Sequence, residues 1–170
     1  MKIVDLDAHA VNPGDLSWEQ FENFGELIIY ERTPQEEVVN RAKDADAILI
    51  NKIKITSEIL EQLPKLRYIG ELATGYNNID LVAASQRNIV VSNIPAYSTM
   101  SVAQHAFALL LNVTNSVSHY AKESRSGVWS HCPDFCYWNT PLLELAGKTI
   151  GIVVFGNIGR QVAQIAHAFG

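Results

Sequence analysis

Two turns in this sequence carry residue types that bind anions. The run Ala73-Thr74-Gly75-Tyr76-Asn77-Asn78 follows one apolar segment, and Asn51-Lys52 follows another. A turn of small residues ahead of a helix leaves backbone N–H groups unpaired, and these suit a carboxylate or a phosphate. An ordinary turn fits as well, with Gly75 at a positive φ and Asn78 capping the next helix. Spacing alone leaves the two interpretations about equal.

A glycine turn near the end of the sequence predicts a dinucleotide site. The apolar run 150–155 leads into Gly156-Asn157-Ile158-Gly159, and apolar residues then recur at helical spacing as far as Phe169. A strand, a glycine turn and a helix open a dinucleotide-binding βαβ unit, in which the helix N-terminus faces the pyrophosphate. We therefore predict a strand over 150–155 and a helix after it.

Side chains that could bind a metal are close together at one place. His131, Cys132 and Cys136 lie within six residues, which is at most half of a structural metal site. We interpret them as packing residues and predict no metal. We also expect the remaining histidines to be surface or packing residues: His9, His105, His119 and His167.

The elements that position these turns alternate along the first 95 residues. Five apolar segments predict strands, at 3–6, 27–30, 47–50, 66–72 and 89–91. Helical patterns lie between them, with predicted N-caps at Ser17, at Thr33 (followed by Pro34) and at Thr56. Alternating strands and helices predict a parallel sheet covered on both faces, and we expect a flavodoxin-like strand order.

The second half of the sequence is organised differently. Pro95 ends the alternation, and a helical pattern then keeps one apolar face from Val102 to about Lys122. Such a helix is about 35 Å long, which suits a bridge between two domains. Residues 124–146 hold four large aromatic side chains without periodicity, which predicts an arm that packs on another domain or subunit. We predict a symmetric homodimer through residues 100–146.

Composition excludes several classes of protein. The net charge is -5 with no basic cluster, which argues against a nucleic-acid partner. No apolar run reaches the ~20 residues that cross a membrane. The N-terminus does not read as a signal peptide, and two cysteines are too few for a disulfide framework, so we expect the cytoplasm.

Three motifs in order resemble one enzyme family. They are residues 73–80, 93–105 and 145–152, and together they are similar to the NAD-dependent D-2-hydroxyacid dehydrogenases. The aromatic segment 134–138 resembles the glycerate dehydrogenase (hydroxypyruvate reductase) branch. The resemblance covers essentially the whole chain. It implies an oxidoreductase that transfers hydride between NAD(H) and a small 2-hydroxy or 2-keto acid.

The resemblance also implies domains and roles. Residues 1–98 would be the N-terminal segment of the substrate domain. Residues 99–170 would hold the interdomain helix, a dimerisation arm and the start of the NAD-binding domain. The implied contacts fall into two sets. The substrate would contact Ala73, Thr74, Gly75 and Tyr97, with Lys52 as a further candidate, and the cofactor would contact Thr74, Thr99, Gly156, Asn157, Ile158 and Gly159.

Two departures from the family pattern argue against catalysis by these residues alone. Val154 stands where the family has a glycine, and a β-branched side chain there resists a positive φ. The sequence also stops at Gly170, before the family's catalytic arginine, glutamate and histidine, so we assign no catalytic residue. We therefore expect Val154 to impair NAD binding, and we expect no turnover by the 170-residue chain alone. The alternative is a truncated, dimerising or carboxylate-binding fragment without catalysis.

Overall fold

Five short strands in the first part of the chain form one parallel sheet. The computed structural model describes residues 1–170, and the strands are β1 (Lys2–Asp5), β2 (Glu26–Ile29), β3 (Ala47–Ile50), β4 (Tyr68–Glu71) and β5 (Val90–Ser92). Their order across the sheet is β2-β1-β3-β4-β5, and all neighbours are parallel. The predicted flavodoxin-like order is confirmed.

Four short helices connect these strands: α1 (Glu19–Glu22), α2 (Val38–Ala42), α3 (Ser57–Glu61) and α4 (Leu81–Gln86). Ser17 Oγ accepts the Glu19 N–H, and Thr56 is the residue before α3. The predicted cap at Thr33 is wrong, because its hydroxyl accepts a hydrogen bond from the Arg41 guanidinium instead. A 3-10 helix, Gln35–Glu37, precedes α2.

The two faces of the sheet are covered unequally. One face packs the main core, where Val4, Ile48 and Ile69 are completely buried. The other face has a smaller cluster around Ile3 and Leu49, next to an open cavity of about 460 Å³. Coverage of both faces is therefore only partial, because α1 is too short to cover the second face.

The chain divides into two compact units, residues 1–95 and 96–170. The second unit contains α5 (Thr99–Asn115), α6 (Val117–Arg125) and α7 (Asn157–Ala168). The single helix predicted over 102–122 is interrupted, because Ser116 is left-handed with φ 50° and ψ 36°. The Asn112 side chain accepts from both the N–H and the hydroxyl of Ser118, which starts α6 after the break.

The arm between α6 and α7 holds a 3-10 helix, Trp129–His131, and otherwise turns. It is attached to α6 through Tyr120, whose hydroxyl accepts the N–H groups of Asn139 and Thr140 at 3.2 Å each. Phe135 and Trp138 remain largely exposed. Cys132 and Cys136 are both free thiols.

The strand predicted over 150–155 is wrong. These residues form no strand, and Val153 and Val154 are 94% and 82% exposed. A strand needs a neighbour for its N–H and C=O groups, and the second unit contains no other strand. The helix predicted after the glycine turn is confirmed as α7, which packs on α5 with Phe107 and Phe169 stacked at 5.4 Å.

None of the helices is both long enough and apolar enough to span a membrane.

Candidate functional site

Loops from three neighbouring strands meet at the carboxyl edge of the sheet. Residues 51–52 follow β3, residues 72–78 follow β4, and residues 93–95 follow β5. In parallel sheets ligands bind beyond this edge, because the loops converge there. The structure therefore brings Lys52 and the segment 73–75 to the same edge, as the sequence predicted.

The segment 73–75 is held through its carbonyl groups and one hydroxyl. The Ile94 N–H donates to Ala73 O at 3.0 Å, and the Asn93 amide donates to Thr74 O at 2.8 Å. Thr74 Oγ1 donates to Ile94 O at 3.0 Å. The N–H groups of Thr74 and Gly75 donate to no acceptor in the chain, and both residues are exposed. Two adjacent free N–H groups on a fixed segment are suited to a carboxylate.

The competing interpretation of this segment as an ordinary turn is wrong in both details. Gly75 does not have a positive φ. Asn78 does not cap α4, because Asp80 does so by accepting the Ala83 N–H at 2.9 Å. The asparagine side chain instead points back toward the sheet.

Lys52 lies on a loop that a carboxylate holds in place. Asp7 Oδ1 accepts the Asn51 N–H at 2.7 Å, and Oδ2 accepts the Lys52 N–H at 2.8 Å. The Lys52 side chain is exposed, and its charge partly opposes the rise in the pKa of Glu71 that burial causes. Sequence reasoning did not identify Asp7. Its position two residues after β1, at the same edge, was the available signal.

Two buried carboxyl groups lie in the strands beneath these loops. Asp5 ends β1 and Glu71 ends β4, and they are 0% and 1% exposed. Burial raises the pKa of Asp5 to about 7, and the nearby charges of Asp7 and Glu31 add to that shift. Burial also raises the pKa of Glu71, against the Asn78 hydrogen bond and the Lys52 charge. Neither was predicted, although a carboxyl group inside an apolar strand is a visible anomaly.

The other predicted site residues belong to the second unit. Tyr97 is 65% exposed. Thr99 begins α5, and its hydroxyl donates to the carbonyl of Ala96, which has a positive φ. The structure therefore describes Tyr97 and Thr99 only by their contacts within residues 96–170.

The glycine turn combines one suitable feature with one strained one. Gly156 is the N-cap of α7, and a Cβ there would meet no atom within 4 Å, so the helix N-terminus is open to an anion. Gly159 packs so closely that a Cβ would lie 2.5 Å from Val154 O. Val154 itself adopts φ 73°, a left-handed conformation that is unfavourable for a β-branched residue.

Known proteins resemble the chain over nearly its full length. A hydroxypyruvate reductase of Blautia hydrogenotrophica is 46% identical over 173 positions, which cover 100% of this chain and 54% of that protein. A glycerate dehydrogenase of Methylorubrum extorquens is 34% identical, over 99% of this chain and 53% of that protein. The chain spans about half the length of the curated relatives it matches.

The chain is also similar to solved structures. An NADPH-dependent glyoxylate/hydroxypyruvate reductase of Sinorhizobium meliloti, in complex with NADP and malonate, is 28% identical to this chain. It aligns with a TM-score of 0.77 over 99% of this chain and 50% of that one. Residues 8–164 also match the profile of the family described as D-isomer specific 2-hydroxyacid dehydrogenase, catalytic domain. The chain therefore belongs to the D-isomer specific 2-hydroxyacid dehydrogenases.

Proposed function

We propose that this chain holds the carboxylate of a small 2-hydroxy or 2-keto acid, glycerate or hydroxypyruvate, for hydride exchange with NAD(H). The observation that carries the proposal is the pair of free N–H groups at Thr74 and Gly75, at the same sheet edge as Lys52. The hydroxypyruvate reductase and glycerate dehydrogenase among its relatives support this substrate class. In this proposal residues 1–98 belong to the substrate domain.

The chemistry of the proposed site is electrostatic. The N–H groups of Thr74 and Gly75 donate to the carboxylate oxygens, and the Lys52 ammonium balances the charge. Ala73, at the start of the segment, is buried. Tyr97 stays a predicted substrate contact. A bound nicotinamide would supply or accept the hydride at the carbon next to the carboxylate.

Titration with D-glycerate tests the carboxylate site. We expect D-glycerate to shift the amide resonances of Thr74 and Gly75 in ¹H–¹⁵N spectra, and glycerol to leave them unchanged. Lys52→Met should weaken the binding of D-glycerate about tenfold, since a hydrogen bond to a charged group contributes roughly 1.5–3 kcal/mol. Lys54→Met, an exposed lysine two residues away, is the matched control. Equal effects of the two substitutions, or unmoved amides, would contradict the proposal.

For the cofactor, we propose that Thr74, Thr99 and the turn Gly156-Asn157-Ile158-Gly159 contact NAD. Val154→Gly should raise the free energy of unfolding by about 1 kcal/mol, because glycine adopts φ 73° without strain. The same variant should bind NADH more tightly than the parent chain does, as measured by the change in NADH fluorescence during titration. Val153→Gly, at a neighbouring exposed valine without a positive φ, should gain neither property. A stabilising effect of both variants would show that the left-handed conformation is irrelevant.

We also propose a homodimer through residues 100–146, supported by exposed apolar side chains on α5. Leu109 and Val113 are 56% and 76% exposed. Val113→Asp should convert a dimer to a monomer in size-exclusion chromatography with light scattering. Gln104→Asp, on the opposite side of the same helix, should not. A monomeric parent chain at micromolar concentration would refute the dimer.

A second candidate function is a dimerising, carboxylate-binding module without turnover. The left-handed φ of 73° at Val154 favours it, since the family has a glycine at this position of the dinucleotide turn. Steady NADH-dependent reduction of hydroxypyruvate by the purified chain would favour the enzyme. Carboxylate binding without reduction would favour the module. For either function we propose a cytoplasmic location, because both cysteines are free thiols. The net charge of -5 argues against a nucleic-acid partner.

A further inference from the structure

One asparagine side chain connects the two loops of the proposed carboxylate site. Asn78 ends the loop after β4, and its Nδ2 donates to Ile53 O in the loop after β3 at 3.0 Å. The same nitrogen donates to Glu71 Oε2 at 2.9 Å. Both N–H groups of the amide are therefore used, one across to the Lys52 loop and one down to the sheet.

The backbone supports the same connection just beyond the loop. The Ile55 N–H donates to Asn78 O at 2.8 Å, and the Asp80 N–H donates to Ile55 O at 2.9 Å. Ile55 and Ile79 form a parallel bridge. The far ends of the two loops are thus fixed to each other, while Thr74, Gly75 and Lys52 remain exposed at the edge.

Glu71 orients the amide at an energetic cost. Its carboxyl group is 1% exposed, and Oε1 has no hydrogen-bond partner. A buried carboxyl group with an unpaired oxygen is unfavourable for stability, and an apolar residue at the end of β4 would avoid that cost. The hydrogen bond from Asn78 gives this carboxyl group a role, because it orients the amide that links the two loops.

We propose that Asn78 is a positioning residue, which aligns the Lys52 loop with the segment 73–75 so that both meet one substrate carboxylate. This inference rests on the proposed carboxylate site. Without the amide, the loop after β3 loses its side-chain link to the loop after β4. Asp7 and the Ile55 backbone still hold the Lys52 loop, but its alignment with the N–H groups of Thr74 and Gly75 is weakened.

A double-mutant cycle tests this coupling. D-glycerate affinity is measured by ¹H–¹⁵N titration for the parent chain, Lys52→Met, Asn78→Ala and the double variant. We expect Lys52→Met to weaken binding about tenfold in the parent chain and less than about threefold when Asn78 is alanine. Residues coupled through one network give such non-additive effects, whereas independent residues give additive ones.

Three further variants separate positioning from general stability. Asn77→Ala, at the exposed neighbouring asparagine, should leave the full effect of Lys52→Met. Asn78→Leu keeps about the size of the side chain and removes both donors without placing a second carboxyl group beside Glu71, so it should behave like Asn78→Ala even where the alanine variant folds poorly. Glu71→Gln keeps an acceptor for the amide and should preserve the coupling.

The outcomes separate a failure of the positioning role of Asn78 from a failure of the proposed carboxylate site. If D-glycerate moves neither amide in the parent chain, the carboxylate site itself is wrong, and the positioning role fails with it. If D-glycerate binds and the effects of Lys52→Met and Asn78→Ala are additive, the site stands and the positioning role is overturned.

Discussion

Asp5→Asn is expected to remove most of the loss of stability that the chain undergoes between about pH 4 and pH 7. The pKa of Asp5 rises from 3.8 to about 7 on folding, because the carboxyl group is buried. The folded state therefore binds more protons than the unfolded state over this range, and the free energy of unfolding falls as pH rises. At about 1.4 kcal/mol per pKa unit, the full effect is on the order of 4 kcal/mol and is complete above pH 7.

Urea unfolding at pH 5 and pH 8 measures the part of this difference that lies above pH 5, which is on the order of 3 kcal/mol. The parent chain should be less stable at pH 8, and Asp5→Asn should lose less stability between the two pH values, because asparagine mimics the neutral acid. The loss that remains in Asp5→Asn is assigned to Glu71, whose pKa is also raised by burial. Asp44→Asn is the control: Lys65 lowers the pKa of this exposed carboxyl group, so its contribution is lost only at acidic pH. The explanation fails if the parent chain is equally stable at both values.

Gly159→Ala is expected to have the second largest effect, destabilising the second unit by about 2 kcal/mol. The added Cβ would lie 2.5 Å from Val154 O and 3.2 Å from Ile152 Cγ2. Backbone atoms cannot rotate away, so α7 must move from the preceding turn, and such overpacking costs roughly 1–3 kcal/mol. The higher helix propensity of alanine offsets only part of this cost.

Thermal unfolding followed by circular dichroism near 222 nm would report this loss, since α7 should melt earlier. Gly151→Ala is the matched control, because a Cβ at that glycine would meet no atom within 4 Å. The control should change the melting midpoint little. An unchanged midpoint for Gly159→Ala would mean that the close approach of α7 to the turn is not required.

The sequence was sufficient to predict the sheet because its strands are buried and separated by helical segments. Short apolar runs such as 47–50 that alternate with helical segments favour a parallel sheet, and few strand orders remain once crossovers are right-handed. The position of the segment 73–75 at the carboxyl edge was also predictable, because it directly follows a strand. Its role in binding a carboxylate came from the family resemblance and stays a prediction.

Features that depend on distant partners were not predictable. The strand expected over 150–155 had the right composition, but a strand forms only beside another strand. The roles of Asp7 and Asn78 depend on loops that are 44 and 25 residues away in sequence. Thr33 has the sequence pattern of a helix cap, yet its hydroxyl accepts a hydrogen bond from the guanidinium of Arg41, eight residues away. Local patterns contain no information about such partners.

Every group of the proposed carboxylate site comes from one continuous segment, residues 1–95, that forms its own compact unit. Ligand linkage then makes thermal shift a direct screen for the preferred acid, without cofactor or turnover. An acid present at a hundredfold excess over its dissociation constant adds about 2.7 kcal/mol to the folded state. Ranking glycerate, glycolate, lactate and the corresponding 2-oxo acids by melting midpoint would thus order the acids by their affinity for this chain.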